Sequence, residues 1–388
     1  MRQEIETIIC LAAGTSQHPL IKAAKHAGFM VVAIDRDPEA PGFSIADKKI
    51  IESTYDTDKV LKALYALEKK HHFRGLLART SGPALKTAAA IAEEFNLPGL
   101  SSDIIPLATE KSKLREFCEG HGILMPKGQK ISQTKELDPH LSLPLIVKPD
   151  LPLIGKKDVR LVYKPSDLEI AMEYALKSSG NGFVEVEEYI DGIDVSALFL
   201  LKHGHITIVH YWDELIGLTD ENFIKGIGVN VPSVIQSTNV SFDVKNVIEL
   251  FGQRFKEINA LLILSFRIDF SGKPYLIEMH CDLGGDLIAD VLFSAAFPDF
   301  DFFNMALEVA INKDIHPIRS KTIPTCLIYA VSQFADMVMQ NAIICDDAFY
   351  IQEGDLPKNL NCLNLLIDKS RISLIKMPRH EDWLKARN

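Results

Sequence analysis

The chain has 388 residues, 47% of them hydrophobic, which is more than one hydrophobic core normally serves and predicts two or three domains. A formal net charge of −10 and the lack of a long Lys/Arg block argue against surfaces that neutralise nucleic-acid or membrane phosphates. No nucleic-acid or membrane partner is expected, and any anionic ligand must be held by local groups. The six cysteines (Cys10, Cys118, Cys281, Cys326, Cys345 and Cys362) are scattered without a CxxC pair. No segment supplies the roughly eighteen consecutive apolar residues of a membrane span, and MRQEIETIICLAAG is too acidic and too briefly apolar for a signal peptide. A reduced, cytoplasmic protein is the expectation.

Residues 8–80 alternate strand and helix: IICLAA, a helix over about 19–27, VVAID, a helix through VLKALYALEKK, then GLLA. This is the pattern of a parallel βαβ sheet. The loop GTSQHP carries Gly14 but not the further glycines that bring backbone against a pyrophosphate. Although Asp35 ends the second strand, a structural Rossmann-like domain is therefore predicted over a dinucleotide site. A helix over PALKTAAAIAEEF and the loop LPGLSSD follow, with a boundary near residue 106.

One helix is predicted over ATEKSKLREFCEGHG, residues 108–122. Leu114, Phe117 and Cys118 form its apolar stripe, and Lys111, Lys113 and Arg115 are expected in solvent. LPLIVKP reads as a short buried strand with one charge, Lys148. A desolvated ammonium needs an anionic partner, and phosphate is a reasonable one. Gly155, Lys156 and Lys157 in PLIGKKDV read as a cationic flap.

After a helix across DLEIAMEYALKSS, the alternating FVEVEEYI is expected to open a second, antiparallel sheet. Strict alternation puts Glu185, Glu187 and Asp191 on a solvent face and Glu188 on the apolar side with Val184 and Val186. LLKHGHITI reads as a further hairpin. SFDVKNVIELFGQRFKEINA reads as a helix burying Val244, Val247, Ile248, Phe251, Phe255 and Ile258. Residues 211–237 match nothing diagnostic, and beyond Asn312 the order is strand-rich (TCLIYAVS, CLNLLIDK, ISLIKM) with a polar tail, HEDWLKARN.

The stretch RIDFSGKPYLIEMHCDLGG reads as a hairpin turning at Ser271-Gly272, with Glu278 near a strand end. His280, Asp282 and Asp286 lie close behind it, with Gly284-Gly285 allowing close backbone approach. Such an oxygen-rich set suits Mg²⁺ around phosphates.

Taken together, these segments resemble the ATP-grasp superfamily over roughly residues 8–312, including its carboxylate-amine ligase, carbamoyl phosphate synthetase and biotin carboxylase branches. TEKSKLREFCEGHGILMPKG resembles the linker whose lysine meets nucleotide phosphates, which implies that role for Lys111. LPLIVKP resembles "P-v-v-v-K-P", giving Lys148 the α- and β-phosphates, and Lys156 in the flap adds charge. VEEYIDGIDVS resembles the adenine hinge, implying Glu187, Glu188 and Ile190 there and Asp194 at the ribose. The hairpin resembles "l-I-E-x-N", implying Glu278 and His280, with Asp269, as ligands of Mg²⁺, or of Mn²⁺ in its place.

The motif departs from the family's E-x-N-x-R, because His280 and Asp282 stand where an amide and an arginine are usual. Arg267 is a candidate replacement on the acyl phosphate, and with Lys148 is the expected catalytic pair. With a two-residue turn, Asp269 faces Pro274 and lies about 13 Å along the strand from Glu278, too far for one ion. Either the strand bulges or another group, such as Asp282 or Asp286, takes that place.

The expected fold class is α/β and α+β: a Rossmann-like domain at 1–106, an ATP-grasp small subdomain at 107–182, a large subdomain with the Mg²⁺ site at 183–315, and a strand-rich region at 316–388. The resemblance implies ATP and Mg²⁺ as cofactors and an ATP-dependent ligase that joins a carboxylate to an amine through an acyl phosphate. Alternatives are a nucleotide-binding protein with degenerate catalysis and a bicarbonate-using carboxylase or carbamoyl phosphate type enzyme. Oligomeric state stays open, with a homodimer the common case in the resembled family.

Overall fold

A computed structural model of the protein describes residues 5–153, 158–218, 221–236, 238–281, 283–285, 288–315 and 322–328, with the strand segments 343–345, 348–350 and 364–367. The chain is a mixed α/β protein built on several sheets. The alternation read in residues 8–80 gives β1 (Ile5–Leu11), α1 (His18–His26), β2 (Met30–Asp35), β3 (Lys48–Ile51), α2 (Thr57–Glu68) and β4 (His71–Leu77), followed by α3 (Ala84–Glu94). The strands are parallel in the order β3-β2-β1-β4. Both faces are covered: Ile8 and Cys10 pack on the α1 side, Ile9 and Leu11 on the α2 and α3 side. That explains their unbroken apolar runs.

The helix expected over 108–122 is two helices, α4 (Ile105–Thr109) and α5 (Lys111–His121), parted by Glu110 in extended conformation (φ −116°, ψ 114°). A four-stranded antiparallel sheet follows: β5 (Gly128–Ile131), β6 (Leu145–Pro149), β7 (Arg160–Val162) and, after α6 (Leu168–Lys177), β8 (Val184–Glu188), in the order β5-β8-β6-β7. Val147, Val184 and Val186 pack on Ala171, Met172 and Ala175 of α6. FVEVEEYI therefore belongs inside this small sheet, between β5 and β6, and does not open the larger one. Alternation alone carries no information on which neighbour a strand selects.

The larger sheet begins at β9 (Gly192–Lys202) and continues with β10 (His205–Leu218) and β11 (Ile224–Val231). After α7 (Val240–Gly252) come β12 (Asn259–Asp269), β13 (Pro274–His280) and, past the helices α8 (Phe293–Ala296) and α9 (Phe302–Ala310), β14 (Thr325–Ile328). Beyond these lie β15 (Ile343–Cys345), β16 (Ala348–Tyr350) and β17 (Asn364–Ile367). The sheet order is β13-β12-β9-β10-β11-β14-β17, while β15 pairs with β16. The β9–β10 turn puts His203 and Gly204 at φ 51° and 81°, as a two-residue hairpin with matching twist requires. One face packs Val195, Ala197 and Phe199 on α7 and α5, and the other packs Leu198, Leu200 and Leu261 on α8 and α9. α7 stops at Gly252, so Phe255 and Ile258 are buried from the turns that lead into β12.

The β12–β13 turn is one residue longer than expected. Asp269 N–H donates to the Lys273 carbonyl at 3.1 Å, and Gly272 at φ 88° closes a Phe270-Ser271-Gly272 loop. Ile268 then faces Pro274, Ile277 is an extra residue in β13, and Ser265 faces Glu278. The flap residues 154–157 with Lys156, as well as Asp282, Asp286, ISLIKM and HEDWLKARN, lie outside the described residues. No helix among the described residues is long and apolar enough to cross a membrane.

Candidate functional site

The cleft-facing side of the small sheet and the β9, β10, β11, β12 and β13 side of the larger one enclose a cavity, joined by the connector at 189–191. Lys111, Lys148 and Glu278 all line it, as do Glu187, Glu188, Ile190, Asp194 and Arg267. Between these polar groups Ile146, Val159, Ile216, Ile224 and Phe266 form an apolar slot. An apolar slot with a few convergent charges is what a ligand with one flat apolar end and one anionic end requires.

Lys111 is placed by a cap from outside its own helix. Its N–H donates to the Asp150 carbonyl at 3.0 Å, and the fully buried Asp150 carboxylate accepts Ser112 N–H at 2.7 Å and Ser112 Oγ–H at 3.0 Å. This accounts for the helix break at Glu110, since the orphan donors of the first turn are met by Asp150. Lys130 Nζ at 2.9 Å and Asn181 Nδ2 at 2.8 Å complete the shell. Burial alone would raise the Asp150 pKa, but the donated hydrogen bonds from Ser112, Lys130 and Asn181 outweigh it and hold the pKa below the usual value. Lys111 Nζ then lies 3.7 Å from Glu278 Oε1.

Lys148 sits on the cleft side of β6, opposite Val147. Its Nζ donates to Glu187 Oε1 at 2.7 Å, the other oxygen, Oε2, accepts Arg115 NH2 at 3.0 Å, and Arg115 Nε donates to Glu185. Arg115, Glu185 and Glu187 are 6%, 1% and 3% exposed, so the solvent faces expected for them are buried. The physical reason is that α5 lies over the polar side of β8 and matches each carboxylate with a guanidinium nitrogen. Burial drives the Glu185 pKa up in spite of Arg115 beside it.

Asp194 and Arg267 are cross-strand neighbours, with Nε 2.9 Å from Oδ1. Arg267 NH1 also donates to the Gly192 carbonyl at 3.0 Å, and its guanidinium lies 5.3 Å from the Tyr189 ring centre. Expected at an acyl phosphate, Arg267 in this conformation braces the connector between the sheets.

The metal set is only partly assembled. His280 Nε2 is 3.9 Å from Glu278 Oε2, whereas Asp269 Oδ1 accepts Ser271 N–H (2.9 Å), Ser271 Oγ–H (2.6 Å) and Lys273 N–H (2.9 Å), tying it into its own turn. The longer turn and the bulge at Ile277 cancel in the register, so Glu278 still faces Ser265, four positions along β12 from Asp269. Among the described residues no group of three or more His, Cys, Asp or Glu side chains is gathered to hold a metal. One carboxylate at the cleft still fits an ion delivered with phosphates, since Mg²⁺ commonly takes one or two protein carboxylates, substrate oxygens and water.

Glu214 is a cleft residue that the sequence reading missed. Ser196 Oγ–H donates to its Oε1 at 2.6 Å, and Ser196 Oγ lies 2.7 Å from Ser265 Oγ, the residue facing Glu278. Period-two alternation with Trp212 and Ile216 is the signal that would have found it. Arg79, just past β4, was also missed. Its NH1 and NH2 meet Asp290 Oδ1 and Oδ2 at 3.0 and 2.6 Å, NH2 donates to the Gly284 carbonyl at 3.0 Å, and NH1 donates to the Ser16 carbonyl at 3.2 Å.

Two sheets closing on a cleft lined by lysines and a hairpin glutamate define the ATP-grasp fold class, and the chain has that fold. Among solved structures it superimposes on N5-carboxyaminoimidazole synthetase from Staphylococcus aureus complexed with ADP with a TM-score of 0.68, at 15% identity, covering 100% of this chain and 98% of that one. The L-amino acid ligase from Bacillus licheniformis gives a TM-score of 0.66 at 20% identity, covering 82% and 79%. In sequence, the carbamoyl phosphate synthase large chain of Clostridium perfringens (strain SM101 / Type A) is 22% identical over 278 residues, 67% of this chain and 24% of that protein. The chain thus spans about a quarter of the length of the curated relatives it matches. No protein-family model matches it.

Proposed function

We propose that the protein is an ATP-dependent ligase. A substrate carboxylate oxygen attacks the γ-phosphorus of ATP, ADP leaves, and an amine then attacks the acyl phosphate carbon and expels phosphate to give an amide. The observation that carries this reading is the convergence of Lys111, Lys148 and Glu278 on one cavity between two sheets. In it Lys148 and Lys111 neutralise the phosphates, the apolar slot and the backbone of Glu187, Glu188 and Ile190 take the base, and Asp194 takes the ribose. Glu278, with His280 beside it, holds Mg²⁺ or Mn²⁺ on the phosphates, and the ion supplies charge neutralisation there. Because the cleft is largely apolar between its charges, these interactions act in a low-dielectric site and catalysis is mainly positioning.

The domain division at 106, 182 and 315, a Rossmann-like role for the first sheet, a flap contribution from Lys156 and a cytoplasmic location belong to the same proposal. The carboxylase alternative makes bicarbonate a carboxylate to test beside amino acids. The experiment is ADP release over a panel of carboxylates and amines, with Glu278→Ala as control. Turnover lost in the variant supports the ligase, ATPase dependent on bicarbonate alone selects the carboxylase alternative, and tight ATP binding without turnover on any pair rejects both.

A further inference from the structure

Lys148 and the three buried charges beside it make a set of two cations and two carboxylates: Lys148 at 4% exposure, Arg115 at 6%, Glu185 at 1% and Glu187 at 3%. Lys148 Nζ donates to Glu187 Oε1 at 2.7 Å. A phosphate that draws this ammonium further into the cavity competes with Glu187 for it and weakens that bond. With Lys148 as its sole cation, Glu187 would then become an ionised carboxylate stranded in a buried site, which is strongly unfavourable.

We propose that Arg115 is a positioning residue that makes this exchange cheap: it keeps Glu187 neutralised while Lys148 turns from carboxylate to phosphate. The proposal rests on the nucleotide reading of the cleft. Three features of the structure carry it. Arg115 holds the other oxygen of Glu187, Oε2, at 3.0 Å, so Lys148 can leave Oε1 without breaking that contact. The guanidinium is pinned independently, by Glu185 at Nε and by the Pro126 carbonyl at NH1 (2.5 Å), and so does not follow the ammonium. It also retains its charge at any working pH.

The third feature is the path. Gly128 on β5 faces Glu187, and a Cβ there would lie 2.7 Å from Glu187 Cβ and 2.8 Å from Arg115 NH2. The strand is bare where the guanidinium crosses it. Arg115 does not line the cavity itself, so its effect on the nucleotide passes through Glu187 and Lys148.

The test is ATP titration by calorimetry with the wild type, Arg115→Met/Glu185→Met, Glu187→Gln, and the triple variant combining all three changes, each checked for folding by circular dichroism. Removing Arg115 together with Glu185 deletes one charge of each sign and leaves Glu187 dependent on Lys148. Affinity then falls about tenfold, the reciprocal of the fraction of molecules in which Lys148 is disengaged. Adding Glu187→Gln removes the carboxylate that traps Lys148 and returns affinity to within about threefold of wild type. A purely structural role predicts that the triple variant stays as weak as the double, which would overturn the proposal, as would a double variant that binds like wild type. Should the double variant fail to fold, Glu187→Gln decides alone: binding at least as tight as wild type upholds the exchange, and a loss rejects it. A wild type that does not bind ATP rejects the nucleotide reading itself, an outcome distinct from all of these.

Discussion

The carboxylate of Asp150 accepts the backbone N–H of Ser112 at 2.7 Å, so the residue that follows the Lys148 strand caps the helix that begins with Lys111. The two lysines are thereby set by one buried acid. Asp150→Ala leaves Lys130 without its partner and the first turn of α5 uncapped, and is expected to cost about 3–5 kcal/mol, as for other broken buried ion pairs. Asp150→Asn keeps one acceptor and is expected to cost about 1–3 kcal/mol. Because the folded pKa is depressed, this stability is fully present above the unfolded value near 4 and is lost as pH falls through the lower folded pKa. Urea midpoints between pH 6 and 3 check it: the difference between wild type and Asp150→Asn should shrink toward the acid end, and a constant difference contradicts the assignment.

The pairing of Glu278 with Lys111 predicts that this carboxylate takes up a divalent ion chiefly together with phosphates that draw Lys111 away. Mn²⁺ followed by electron paramagnetic resonance should bind weakly to the protein alone and tighten at least about tenfold with ATP present, because the phosphates supply most of the ligands. Glu278→Gln should remove that enhancement while ATP binding persists through Lys148. Stoichiometric micromolar Mn²⁺ binding without nucleotide would show that a further ligand set exists.

Arg79 ties the first sheet to the loop behind the β12–β13 hairpin through Asp290 and the Gly284 carbonyl. Arg79→Lys keeps a charge but loses the planar fork, and should cost about 2 kcal/mol, since a point charge cannot make both carboxylate bonds and the carbonyl bond together. Hydrogen exchange at 283–285 and 288–292 should quicken in that variant, with the β12 core unchanged. Unaltered protection in those segments would mean that the clamp does not hold the loop.

Strand and helix existence was legible in the sequence because burial follows period: the continuous apolar runs of β1 and β2, and of β9 and β12, mark strands covered on both faces. Lys148 and Glu278 stood out for the same reason, as charges breaking apolar strands. Pairing was less legible. FVEVEE joins the small sheet through contacts with β5 and β6 that no local pattern specifies, and spacing alone did not show that Asp269 Oδ1 is tied into its own turn by Ser271 and Lys273. Arg115, Glu185 and Glu187 were read as solvated since charge on an alternating face normally is. Only the overlay of α5 on β8 reveals that they neutralise one another.

His210 carries a pH dependence of its own. It is 6% exposed on β10, its ring lies 4.6 Å from that of Phe297, and Nε2 has no hydrogen-bond partner among the described residues. Burial pushes its pKa down to about 4. The unfolded chain takes up a proton near pH 6.5 and the folded one only near 4, so stability from this residue is full above 6.5 and declines between those values. At 1.36 kcal/mol per unit the loss amounts to about 3 kcal/mol. Replacing the imidazole by a similarly sized apolar ring in His210→Phe should flatten that slope, so the variant gains on wild type steadily as pH falls from 6.5 to 4. Denaturation at three pH values measures the slope, and NMR titration of the His210 ring measures the midpoint. A midpoint near 6.5, or parallel stability curves, would place the ring in contact with water and contradict its burial under Phe297.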